Sequence, residues 1–169
     1  MIRPILRYGD DALHASARPV DNFDGELEML LRDMTQTMYA APGVGLAAPQ
    51  IGVPLRVCVI DVTVGKRSGE LYELVNPGMV LCEGLQLEEE GCLSLPGFNA
   101  TVVRPSRVVV KCFDREGHPK TIEGTGLLAR AIQHELDHLD GAIFVDRLRG
   151  IKRDVIVRKV QKLRRSGKW

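Results

Sequence analysis

No apolar run in this sequence is long enough to cross a membrane, and the opening MIRPILRYGDDALHASARP is interrupted by Arg3, Pro4, Arg7 and Asp10 before a secretory signal could form. Cysteine is sparse. Without an export signal, Cys58, Cys82, Cys92 and Cys112 are expected as reduced thiols in the cytoplasm, available as ligands rather than tied in disulfides. No sign of charge dominates either: 23 Lys+Arg against 22 Asp+Glu leave a formal charge of +1, so global electrostatics select no partner, and neither a membrane nor DNA is expected as one. Repeats, low-complexity tracts and linkers are also missing. At 169 residues and 44% hydrophobic, the chain is expected to fold as a single globular domain spanning residues 1–169.

Charge is nonetheless unevenly placed. Between Asp61 and Gly91 the acids Asp61, Glu70, Glu73, Glu83, Glu88, Glu89 and Glu90 face only Lys66 and Arg67. Beyond Leu148, Arg149, Lys152, Arg153, Arg158, Lys159, Lys162, Arg164, Arg165 and Lys168 face Asp154 alone. Glu88 to Glu90 read as a solvated acidic run, and the tail reads as a basic amphipathic helix from about Ile151 to Arg164.

Asp24 or Gly25 is expected to open an amphipathic helix carrying Leu27, Leu30, Leu31, Met34 and Met38, stopped by Pro42 and Gly43. GVGLAAPQIG, residues 43–52, has too much Gly and Pro for a regular element and too little polarity for a solvated linker. Leu55–Val62, Leu71–Val75 and Arg107–Phe113 read as antiparallel strands, with a turn at Asp114–Gly117. Gly84–Pro96 is an acidic segment closing on GCLSLPG. A second helix is predicted from Gly124 or Thr125 to His138 or Leu139, with Gly141 as its stop.

That helix carries HELDH. At helical spacing Leu127, Ala131, His134 and His138 fall within about 60° of one another, while Leu128, Ile132, Leu136 and Leu139 fill the adjoining sector. Arg130, Gln133 and Asp137 are left as a narrow polar strip. Such a helix is mostly enclosed, so its histidines are expected to be buried and neutral, the state a metal requires. His134 and His138 would offer two ligands, with Glu135 close enough to serve a bound water as its base.

An open catalytic site usually takes a third protein ligand. Phe144 stands where a longer HExxHxxGxxH pattern has its third His, and no Glu follows Glu135, so the usual protease sets are not completed downstream. The ligand must lie upstream. Cys58 and Cys112 sit in strand runs and read as core. Cys82 is ambiguous, His14, His118 and the acids remain eligible, and Cys92 is placed in a Gly/Pro-punctuated loop where a thiolate could point inward. For Gln50, a solvated or turn-capping amide is the competing reading.

Taken together, GVGLAAPQIG (43–52), EGCLSLP (90–96) and QHELDHLDG (133–141) resemble the three signature motifs of the peptide deformylases, in order and in approximate spacing. MYA at 38–40 and RP at 104–105 are also similar to that family. The resemblance implies an α+β fold in which antiparallel strands wrap a central buried HExxH helix, with an N-terminal amphipathic helix and a C-terminal helix. It implies that Cys92, His134 and His138 bind one divalent ion, usually Fe(II) with zinc, nickel or cobalt tolerated, and that Glu135 is the general acid/base. Gln50 and the Leu93 N–H would form the oxyanion hole, and Val44, Gly45 and Gly91 would offer backbone groups to an extended substrate. The activity implied is removal of the formyl group from N-terminal formyl-methionine of new polypeptides, releasing formate. The basic tail would then contact ribosomal RNA. A metalloprotease and a non-enzymatic metal-binding module are the rival readings. The missing downstream ligand disfavours the first, and the presence of both Glu135 and Gln50 disfavours the second.

Overall fold

The computed structural model describes all residues, 1–169. Helix α1 spans Gly25–Ala40, and Asp24 starts it by accepting hydrogen bonds from the N–H groups of Glu26 and Leu27, which would otherwise lack partners. Glu26 and Glu28 in its first turn suit the positive end of the helix dipole. Its apolar face buries Leu27, Leu30, Leu31, Met34 and Met38 against Leu46, Val57 and Val59.

The strands are β1 (Gly45–Ala47), β2 (Val57–Ile60), β3 (Tyr72–Glu83), β4 (Gln86–Gly91), β5 (Asn99–Arg104), β6 (Arg107–Phe113) and β7 (Pro119–Thr125). One sheet has the order β1-β2-β3-β6-β7 and the second is the β4-β5 hairpin, with every pairing antiparallel. Helix α2 (Gly126–Leu139) packs on β1, β2, β6 and β7, burying Ala129, Ile132 and Leu136 against Cys58, Leu74 and Val110. The hairpin closes its other side: Arg130 donates to the Val102 carbonyl at 2.8 Å, and Gln133 to the Pro105 carbonyl at 3.1 Å. Helix α3 (Ile151–Arg165) anchors through Ile156 and Val160 in a third cluster with Leu13, Leu95 and Phe144.

Both α1 and α3 fall where helical periodicity places them, and the α+β class stands. Four local expectations are corrected. Gly45–Ala47 is a strand rather than irregular loop, because its backbone pairs with β2 through Gly45↔Ile60 and Ala47↔Cys58, and Ala48–Ile51 then forms a 3₁₀ turn. The strand expected to end at Val75 runs on to Glu83. A bulge between Val75 and Gly78 absorbs Asn76, whose side chain pairs with both the N–H and the carbonyl of Val20. The acidic segment contains β4, because β5 supplies the partner that its sequence does not reveal. Finally, the strip Arg130, Gln133 and Asp137 is buried, at 4%, 8% and 8% exposure, because polar groups of the hairpin and of Arg147 meet it.

Candidate metal centre and cleft

Residues four apart on α2 bring the His134 and His138 rings together at 4.9 Å between centroids, with Nε2 to Nε2 at 3.2 Å. The turn after β4 places Cys92 Sγ 3.3 Å from His138 Nε2. All three ligand atoms lie within 4.8 Å of one another. Cys92 is thus the upstream partner among the candidates, while Cys58 and Cys112 are buried in the sheet and Cys82 is exposed.

The surroundings determine what this triangle can hold. His134 Nδ1 lies 2.9 Å from Glu90 Oε2, so the carboxylate assigns the ring proton to Nδ1 and leaves Nε2 a lone pair. That lone pair faces His138 Nε2 and the Cys92 sulfur, and electron-rich atoms converging on one point call for a cation. A tetrahedral ion at usual bond lengths separates N from N and N from S by about 3.3–3.6 Å, close to the 3.2 Å and 3.3 Å from His138 Nε2 to its two partners. The three donors fit a single transition-metal ion.

Glu90 was read as part of a solvated run, and the structure corrects this. It is 6% exposed, takes Arg104 Nε at 2.7 Å and Nη2 at 2.6 Å, and takes Arg130 Nη1 at 3.0 Å. Burial alone would raise its pKa, but His134 and Arg104 outweigh burial and hold the carboxyl well below the ordinary range. Arg104 reaches on to Asp137 at 3.0 Å, which Arg147 also grips. Carboxylates and guanidiniums therefore alternate behind the metal helix, each answering the next. Strand alternation offered one sign of this, since Glu90 opposes Ala100 and Gln86 opposes Arg104 across a pair that could not be recognised before β4 was known.

Glu135 lies on the cleft side. Burial pushes its carboxyl up to about 7, with His134 opposing, and its Oε2 has no protein partner. Gly45 leaves room for it: a Cβ there would stand 2.5 Å from Glu135 Oε1. The small residue thus accommodates Glu135 as well as any incoming backbone. Val44 gives its carbonyl to the Asp61 N–H at 2.8 Å. By strand alternation the N–H and C=O of Gly45 then lie on the open edge of β1. Gly91 ends β4 on the opposite wall. Between them is a cleft of about 300 Å³, also lined by Gly43, Glu89, Leu127, Arg130 and Ala131.

Gln50 is 1% exposed, so it is not a solvated amide. It does cap a turn, since its Oε1 accepts from the Ala47 N–H at the start of the 3₁₀ turn at 2.9 Å, and its Nε2 is turned the other way, 3.0 Å from Ser94 Oγ and 3.7 Å from Cys92 Sγ. The Leu93 N–H makes no hydrogen bond within the protein. Ser94, which sequence reasoning passed over, is fully buried and also directs its N–H at Cys92 Sγ, 3.4 Å away.

Residues 2–154 match the family model described as polypeptide deformylase. The chain belongs to the peptide deformylase family. A peptide deformylase of Acidobacterium capsulatum is 46% identical over 169 residues, covering 100% of this chain and 99% of the relative. One from Heliobacterium modesticaldum is 54% identical over 144 residues, covering 85% and 92%. Among solved structures, the Legionella pneumophila peptide deformylase superposes with a TM-score of 0.92 at 50% identity, covering 99% of this chain and 98% of the other. The Synechococcus elongatus peptide deformylase in complex with actinonin gives 0.88 at 38% identity, covering 95% and 90%. Peptide deformylases are metal-dependent hydrolases of protein biosynthesis that act on peptides, and the Cys92, His134 and His138 cluster is consistent with that dependence. No helix here is long and apolar enough to cross a membrane.

Proposed function

We propose that residues 1–169 form one catalytic domain that removes the formyl group from the N-terminal formyl-methionine of new polypeptides in the cytoplasm. The observation carrying this reading is the unpartnered Glu135 carboxyl beside the converging donors of Cys92, His134 and His138, facing a cleft with an open strand edge. Fe(II) is the ion we assign to those donors. A thiolate with two imidazoles also accepts zinc, nickel or cobalt. When bound, the ion supplies Lewis acidity that makes water a nucleophile near neutral pH.

The remaining work falls to the chain. Gly45, on the free edge of β1, and Gly91, on the facing wall, receive the substrate main chain as an added strand, with Val44 lining the cleft. Glu135 takes a proton from the attacking water and returns it to the departing amine nitrogen, so the formyl C–N bond breaks and formate leaves. The Gln50 amide and the Leu93 N–H donate to the formyl oxygen as it gains charge, a contribution of about 3 kcal/mol per donor in comparable sites. Leu127 and Ala131 offer apolar surface for the methionine side chain.

The basic outer face of α3 supports a second element of the proposal, contact with ribosomal RNA. Lys152, Arg153, Arg158, Lys159 and Lys162 are exposed, whereas Ile156 and Val160 hold the helix to the core. Reversing those charges is therefore a cleaner test than deleting the helix, and unchanged ribosome affinity and salt dependence would overturn the contact. For the chemistry, the enzyme is purified without oxygen, its metal is measured, and formate release from a formyl-Met peptide is followed. A folded, iron-loaded enzyme that releases no formate overturns the reading. Cleavage of casein without deformylation would favour a protease.

A further inference from the structure

We propose that Ser94 is a positioning residue for the reaction: its hydroxyl holds the Gln50 amide with one N–H aimed at the formyl oxygen. This rests on the reading of Gln50 as an oxyanion donor. An amide in a cavity has two faults as such a donor, since it can flip and it can swing. The Ala47 N–H, 2.9 Å from Oε1, removes the flip, because only an oxygen can accept there. It leaves the Nε2 end free to swing. Ser94 Oγ, at 3.0 Å, takes one Nε2 hydrogen and stops the swing, leaving the other hydrogen on the Cys92 side of the amide. There the Nε2 to Sγ distance is 3.7 Å, long enough to yield readily to an oxygen that develops charge.

Both ends of this bond are anchored from the same strap. Leu6 donates its N–H to the Gln50 carbonyl and Tyr8 its N–H to the Ser94 carbonyl, each at 2.8 Å. Alternate residues of the N-terminal segment thus tie the two motifs together. Ser94 is 0% exposed and Gln50 1%, so water does not compete for the bond between them. A donor fixed before the substrate arrives needs no reorganisation when charge appears, which is the condition under which such donors accelerate a reaction.

Ser94→Ala removes the hydroxyl but keeps the N–H facing Cys92 and the carbonyl that takes Tyr8. In the iron-loaded enzyme kcat is expected to fall about tenfold, with KM and metal content unchanged. In a Gln50→Ala background the same change is expected to cost less than about twofold, because no amide remains to be positioned. An independent measurement uses the zinc-loaded enzyme, where NMR is expected to show a Gln50 side-chain amide proton that exchanges slowly with solvent in the wild type and faster in Ser94→Ala. Rapid exchange of both amide protons in the wild type overturns the proposal, as does a Ser94→Ala loss that is absent, accompanied by metal loss, or equal in both backgrounds. If Gln50→Ala itself leaves kcat unchanged, the oxyanion reading falls and this role falls with it. If Gln50→Ala slows the enzyme while Ser94→Ala behaves independently, only the positioning role is overturned.

Discussion

His134 is held from behind by Glu90, Nδ1 to Oε2 at 2.9 Å, so the ring nitrogen facing the cleft is the one free to bind an ion. That carboxylate is shared with two arginines, which makes it structural and functional at once.

Glu90→Gln is expected to weaken metal retention by about 10- to 100-fold, because an amide oxygen accepts the His134 proton more weakly and brings no charge to strengthen its ligand nitrogen. It also leaves Arg104 and Arg130, 1% and 4% exposed, short of their anion, at a cost of about 3–5 kcal/mol. Competition with a chelator and thermal unfolding of the iron-loaded enzyme measure the two effects separately. Wild-type values for both would refute this account of the network.

Glu135→Gln should keep the ion while lowering kcat by about 10²–10⁴-fold, since its side chain is placed to move protons rather than to ligate. Metal content and formate release, measured on one preparation, give the result. Full activity in this variant would remove Glu135 from the mechanism.

Gly45→Ala tests close packing from the opposite wall. A Cβ at 2.5 Å from Glu135 Oε1 must displace the carboxyl, so kcat is expected to fall with metal content unchanged. Titration with metal alongside turnover separates this from a loss of the site. Unaltered kcat would mean that Glu135 has room to move without consequence.

Tyr39 and Asp61 provide a pH test away from the metal. The phenol donates to Asp61 Oδ2 at 2.6 Å, and burial together with that carboxylate pushes Tyr39 up to about 12. Asp61 is opposed by burial but held below its ordinary value by Tyr39 and Thr63. The signs differ. Tyr39, raised in the fold, stabilises fully below its unfolded value of about 10 and loses that contribution as pH climbs toward the folded value. Asp61, depressed in the fold, stabilises above its unfolded value and loses that contribution as pH falls through the folded one. Tyr39→Phe should flatten the alkaline fall in unfolding free energy, and Asp61→Asn should bring tyrosinate absorbance at Tyr39 to lower pH. An unshifted titration would show that the pair is not coupled.

Removing the ion should abolish deformylation and destabilise the fold locally at Cys92, because the two histidines and the thiolate then face one another without a shared cation. Activity should return with Fe(II) added under anaerobic conditions. Activity that survives complete chelation would contradict the metal-centred reading.

The helices were legible because their signals are local. Asp24, the apolar spacing from Leu27 to Met38, and Pro42 lie on one stretch of chain, and HELDH places its histidines by helical geometry alone. Strands β4, β5 and β7 were not legible, since β4 is acidic and mostly exposed, β5 is short and β7 is polar along one face; β4 and β5 are strands because they pair with each other, and β7 because β6 pairs with it. The family resemblance supplied Cys92 as a ligand where residue type alone left several candidates open. It did not supply the network behind His134, because Glu90, Arg104 and the α2 pair Arg130 and Asp137 come from three separate elements, and no local pattern names their partners.

The pair from which the metal reading starts, His134 and His138, follows from residue identity and a four-residue spacing, which the backbone helix converts directly into proximity. Whether that pair could hold an ion was decided by tertiary structure. The His134 ring proton is assigned by a carboxylate that arrives from β4, the third donor comes from the turn after it, and Gln50 meets Ser94 across 44 residues. Proximity along a helix is a property of the local chain, whereas protonation, desolvation and orientation depend on whatever the fold brings against it.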